Sequence, residues 1–169
     1  MHLAESEDKL GADADLTLGK IFEKLNLDQC RLVTFSACET GITDPTSISD
    51  EYVGLLSAFL YAGSPSVVST LWSVEQAATN LFMIEFYKNL KQLLPLKPGS
   101  VAIALNQTQK WLRTLTGEKL RTIVESPEFQ HHLDDNKNKL FKELLDRAKL
   151  KPYPFEKSYY WAAFVATGL

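Results

Sequence analysis

The chain has 169 residues, 45% of them hydrophobic and 23% charged. That suits one domain with its own core and excludes collagen-like, low-complexity and intrinsically disordered classes. Eighteen basic residues against 21 acidic ones leave a formal net charge of −3, without the basic excess of a nucleic-acid binder, so no nucleic-acid partner is expected. Two cysteines, Cys30 and Cys38, are too few for a secreted disulfide scaffold of this size. No run reaches the ~18 apolar residues of a membrane span. The acidic stretch Met1 to Asp15 lacks the basic and apolar regions of a signal peptide. A cytoplasmic chain with reduced thiols and no membrane contact is the expectation.

In chain order, Thr17 to Leu27 carries apolar residues at 18, 21, 22 and 25, a helical spacing with Thr17 as cap. Arg31 to Ala37 (RLVTFSA) is β-branched and apolar and predicts a buried strand. Glu39 to Ser49, with Gly41, Asp44 and Pro45, is loop chemistry. Ser49, Asp50 and Glu51 open a helix that runs through Leu60 and stops at Ala62-Gly63-Ser64-Pro65. Ser66 to Trp72 predicts a second buried strand, Glu75 to Leu93 a long helix broken by Pro95 and Pro98, and Ser100 to Leu115 a further helix.

Residues 117–151 are charge-rich, with Glu143 and Arg147 at i,i+4 spacing, and predict one or two exposed helices in a variable insertion. Tyr159 to Ala166 predicts a third strand buried on both faces. Strand alternating with helix predicts an α/β fold, a parallel sheet flanked by helices with right-handed crossovers.

One segment offers chemistry. Phe35-Ser36-Ala37-Cys38-Glu39-Thr40-Gly41 puts a cysteine at the carboxyl end of a strand predicted to be parallel, the edge where α/β sheets build sites. Small neighbours leave room, and a nearby base or positive charge would make the thiolate a nucleophile. The residues alone favour the plainer reading, a buried structural cysteine. A phosphatase-type Cys-x5-Arg is excluded because Asp44 stands where arginine is needed, and neither a P-loop nor a GxGxxG is present. No metal-ligand spacing occurs, and no cofactor is expected.

Four blocks in order, LVTFSACETG, EYVGLLSAFLYAGSPSVVSTLWSVEQAAT, VAIALNQTQKWLR and YYWAAFVATG, resemble the CHAT domain. This is a caspase-like domain associated with tetratricopeptide repeats and akin to separases. The resemblance runs from about Leu16 to Leu169 and fits least over 117–151. It implies a caspase-like fold, a cysteine–histidine peptidase dyad acting on a protein or peptide, and a tetratricopeptide-repeat protein as partner. Cys38 falls on the family's nucleophile, and Glu39, Thr40 and Gly41 on the motif that follows it. Leu71, Trp72, Ser73 and Val74 fall on the separase segment that helps form the pocket for the substrate residue before the cut. Ser73 stands where family members often have Asp, and Glu75 is the replacement carboxylate nearby.

A second departure concerns the base. The family's histidine lies in a His-Gly pair, and this chain has only His2, His131 and His132, none followed by glycine. Met1-His2-Leu3-Ala4 looks like that block, but its spacing to Leu16-Thr17-Leu18 suits a later strand, and His2 reads as an ordinary residue. The expectation is the C-terminal part of such a domain, lacking its first strands, that keeps Cys38 without its histidine and is inactive alone. The alternative is a non-catalytic interaction module.

Overall fold

The computed structural model describes residues 18–35, 48–127, 129 and 137–168. Among them the chain forms seven helices and three strands: α1 Leu18–Lys24, β1 Val33–Thr34, α2 Ile48–Tyr61, β2 Ser66–Thr70, α3 Gln76–Gln92, α4 Ser100–Thr114, α5 Gly117–Val124, α6 Lys137–Leu150, α7 Ser158–Trp161 and β3 Phe164–Gly168. The fold is α/β, with sheet order β1-β2-β3. Contacts divide the chain into two compact units, one up to Ser69 together with Ala166 onward, the other Thr70–Val165.

In the first unit, Ile21 of α1 and Leu56, Ala58, Phe59 and Ala62 of α2 close over Val67 of β2. Phe35 meets Phe59 edge-on, with ring centroids 4.9 Å apart. The helix α1 ends at Lys24, before the expected Leu27, because the backbone from Asn26 on has other partners. The Asp28 N–H donates to Asn26 Oδ1 at 2.9 Å, and the Leu27 N–H donates to the Ala62 carbonyl at 2.6 Å. The α2 terminus is closed by a paired cap. The Ser64 N–H reaches the Phe59 carbonyl and the Gly63 N–H the Leu60 carbonyl, a Schellman arrangement that needs a left-handed residue between them. Gly63 supplies it with φ 110°, and a Cβ there would crowd the backbone at Leu27 and Asp28.

The strands β1 and β2 are parallel, as expected, with Val33 opposite Val67 and Thr34 opposite Val68. The Phe35 N–H continues the ladder to the Val68 carbonyl at 2.8 Å. Ser66 to Ser69 are buried in β2, whereas Val33 and Thr34 are half-buried, since β1 is the outer strand among the described residues.

In the second unit, α3 packs along α4 through Leu81, Phe82, Phe86 and Leu90 on one side and Val101, Ala104, Leu105 and Leu112 on the other. Thr108, fully buried, is satisfied twice: its hydroxyl donates to the Ala104 carbonyl at 2.8 Å and accepts from Asn89 Nδ2 at 3.0 Å. The rings of Phe82 and Phe164 stack at 3.7 Å. Among the described residues of 117–151 the charged positions are mostly exposed, as expected, but the helices are not solvated all round. The α5 and α6 helices pack on each other, burying Leu120, Val124, Leu144 and Ala148, each spaced i,i+4 along its helix.

The third strand departs from expectation in place, burial and direction. Ser158–Trp161 is a helical turn, and β3 begins only at Phe164, with Phe164 buried and Ala166 to Gly168 exposed. An aromatic run has strand propensity, but here two of its polar tips have a tertiary or local acceptor. Tyr159 OH donates to the Ser73 carbonyl at 2.9 Å and Trp161 Nε1 to the Glu156 carbonyl at 3.1 Å. This anchors the turn at the carboxyl end of β2, where the Leu71 N–H bonds the Ala163 carbonyl at 2.8 Å. The following strand runs back along β2, until Gly168 packs against the Pro65 carbonyl. The sheet is therefore mixed, not wholly parallel.

Candidate functional site

The motif SACETG leaves β1 at its carboxyl end, and Cys38 follows the last strand residue, Thr34, by four positions. Cys38, Glu39, Thr40 and Gly41 lie outside the described residues, as do His2, His131 and His132. Cys30 is a half-buried thiol whose Sγ donates to the Leu32 carbonyl at 3.2 Å, a local tie of the kind expected from a packing cysteine.

The segment after β2 is described in full. Leu71 is half exposed and Val74 is buried. Trp72 Nε1 donates to the Tyr159 carbonyl at 3.0 Å, while Tyr159 OH donates back to the Ser73 carbonyl at 2.9 Å. This reciprocal pair fixes the backbone from Trp72 to Ser73 against α7, with Ser73 itself exposed.

Glu75 precedes the first turn of α3. Its carboxylate is engaged by the Arg147 guanidinium of α6, which also reaches Glu143 at 3.5 Å. The guanidinium carbon lies 5.2 Å from the Phe155 ring centroid and 5.3 Å from that of Tyr160. Those two rings stand at 87° to each other, their centroids 5.3 Å apart, so they form the two walls of a corner into which the cation fits. Burial pushes the Glu75 carboxyl up, but Glu143 and Arg147 beside it outweigh that and hold it below the ordinary carboxylate range. Burial likewise works against the charge on Arg147, and Glu75 with Tyr160 more than restores it.

Three of the expected pocket residues, Trp72, Ser73 and Glu75, thus lie on one tied segment. Arg147, Phe155, Tyr159 and Tyr160 were not expected there. The only sequence signal for Arg147 was its i,i+4 relation to Glu143, and the Glu75 contact, 72 residues away in sequence, leaves no local pattern.

A separate small recess is lined by Leu81, Ile84, Glu85, Lys88, Trp111 and Phe129 among others. Burial pushes the Glu85 carboxyl up, partly offset by Lys88. Among the described residues no cluster of His, Cys, Asp and Glu could hold a metal ion, and no helix is long and apolar enough to cross a membrane.

Comparison with protein-family models matches the CHAT domain over residues 1–169. The chain belongs to the CHAT domain family. Neither the curated proteins nor the solved structures contain a match to it.

Proposed function

We propose that this CHAT domain is a caspase-like cysteine peptidase domain, with helices flanking its sheet, that carries the nucleophile Cys38 and is inactive as an isolated chain. The observation that carries this reading is the run Ser36 to Gly41 directly after the carboxyl end of a strand in a parallel pair, the edge where open α/β sheets present reactive groups. In the proposed reaction, open to the domain only where a base is supplied, the base takes the Cys38 thiol proton, the thiolate attacks a peptide carbonyl and backbone N–H groups receive the oxyanion; the C–N bond then breaks as the amine leaves with that proton, and water hydrolyses the thioester. No histidine of this chain is followed by glycine, which argues against the family's usual base. A free thiol with an unshifted pKa of ~8.5 is only a few per cent thiolate at neutral pH. Glu39, Thr40, Gly41, Trp72, Ser73 and Glu75 are proposed as the substrate-binding residues.

The test combines hydrolysis of a mixed fluorogenic peptide library with the rate of Cys38 alkylation across pH, against Cys38→Ala. The expected result is no turnover and an alkylation profile of an ordinary thiol. Turnover that disappears in Cys38→Ala would overturn the inactivity. A second reading, a peptide-binding or repeat-protein-docking module without catalysis, is favoured by Glu75, whose carboxylate is already matched by Arg147.

A further inference from the structure

We propose that Glu75, Phe155 and Tyr160 form a recognition recess for a guanidinium side chain, and that Arg147 occupies it from within the chain as a resident plug, shutting out a basic side chain of a bound peptide.

The recess has the parts such recognition needs. Two aromatic faces at right angles lie at cation–π distance from one guanidinium carbon, and a carboxylate approaches the same group. Planar guanidinium, carrying several donors in a fixed fork, uses an aromatic face and a carboxylate together better than a point-like ammonium does. An arginine serving only a solvated helix face would spend its charge on Glu143, one turn away. Here Glu143 is the more distant partner at 3.5 Å, and the side chain is turned onto Glu75, Phe155 and Tyr160.

The charge balance favours a cation at this place. Glu75 and Glu143 each bring a carboxyl group to one guanidinium and hydrogen-bond each other, so withdrawing Arg147 leaves an acidic pair beside two ring walls. A way in exists, since the side chains of Arg147 and Glu75 remain 19% and 30% exposed. The carboxylate of Glu75, the one acidic side chain in the 72–75 segment, is thereby neutralised by the chain's own cation. The peptide nature of the ligand rests on the function proposed above; the recess and its plug rest on geometry.

The test uses the full chain in a Cys38→Ala background, where hydrolysis plays no part, so that its failure is separate from failure of the peptidase reading. N-acetyl-arginine amide is titrated by calorimetry into the Arg147 form, R147A, and R147A combined with E75Q, with N-acetyl-norleucine amide as the uncharged probe. The expected result is at least tenfold tighter binding of the arginine probe to R147A than to the Arg147 form, lost on adding E75Q and absent for the norleucine probe. Should R147A not fold, R147Q keeps the length and helical preference of the side chain without its charge and carries the same comparison. Equal binding with and without Arg147, or equal binding of the two probes, would overturn the proposal and leave Arg147 as a structural tie alone.

Discussion

The Arg147 cluster is open to a double-mutant cycle. Arg147→Met keeps an unbranched stem against Phe155 and Tyr160 but removes the charge. Two ring contacts at 5.2 and 5.3 Å, each worth about 0.5–1 kcal/mol at a partly exposed site, are lost. The ion pair with Glu75, whose partners are a fifth to a third exposed, adds about 0.5–1 kcal/mol after solvent screening. Arg147→Met is thus expected to cost about 1.5–3 kcal/mol, and Glu75→Gln, which keeps an acceptor, about 0.5–1 kcal/mol. The double variant should cost less than the sum by about 0.5–1 kcal/mol, and this coupling should shrink at high salt.

Urea unfolding followed by the fluorescence of the three tryptophans, Trp72, Trp111 and Trp161, reads all four corners. Acidification gives an independent reading. Glu75 titrates below its ordinary value, so its stabilisation is full above about pH 4.3 and is lost as the pH falls through the folded value. The gap between the wild type and Glu75→Gln should close over that acid window. A cycle that closes to within about 0.3 kcal/mol, with parallel acid curves, would refute the coupling.

Leu144, fully buried on α6, should cost about 2–5 kcal/mol when changed to Ala, measured as the urea midpoint; a change near zero would restore the picture of a solvated helix. Gly117→Ala places a Cβ on the Ala148 carbonyl and within 3.0 Å of the Lys151 carbonyl, so a loss of about 1–3 kcal/mol is expected, and an unchanged midpoint would contradict the close α5–α6 approach. Glu85 titrates above its ordinary value because burial disfavours its charge; such a carboxylate costs stability at pH 7, and the cost disappears as pH falls through the folded value. Glu85→Gln should therefore raise the midpoint at pH 7 by an amount that shrinks toward pH 4, and a gain independent of pH would exclude this cause.

The strand β2 was legible because Ser66 to Ser69 are all buried, and a strand covered on both faces shows as a continuous run of small and branched residues. The parallel β1–β2 pair followed from strand-helix-strand order. The α5 and α6 packing was concealed by composition: counting charges over 117–151 outweighed the i,i+4 recurrence of Leu120 with Val124 and of Leu144 with Ala148. The end of the chain was misread for a different reason. The Tyr159–Trp161 run satisfies a strand pattern locally, and its conversion to a turn depends on the Ser73 carbonyl, 86 residues earlier. The direction of β3 depends on that same anchor. Of the candidate site, the cysteine motif lies outside the described residues, and Trp72, Ser73 and Glu75 were named from the resemblance, not from any pattern of their own. The partners that occupy Glu75 and Ser73 were not legible, because a salt bridge or hydrogen bond across the fold imposes no period on the sequence.

That distinction bears on specificity. A carboxylate near a pocket segment invites the inference that the pocket is acidic, yet charge counts only where it is unmatched. Glu75 is met by Arg147, and the Ser73 carbonyl is met by Tyr159 OH. Trp72 spends its indole N–H on the Tyr159 carbonyl. The segment is therefore rigid and its polar groups largely satisfied within the chain, which favours preorganisation while lowering its attraction for a cation. On the proposal above, a shift of α6 that withdrew Arg147 would reverse the second property, while the hydrogen bonds of Tyr159 with the Trp72 indole and the Ser73 carbonyl, which α6 does not make, would still hold the first. The tie runs through Tyr159 and the proposed plug lies over the neighbouring Tyr160, whose ring meets that of Tyr159 with centroids 5.3 Å apart, so the two are joined through α7.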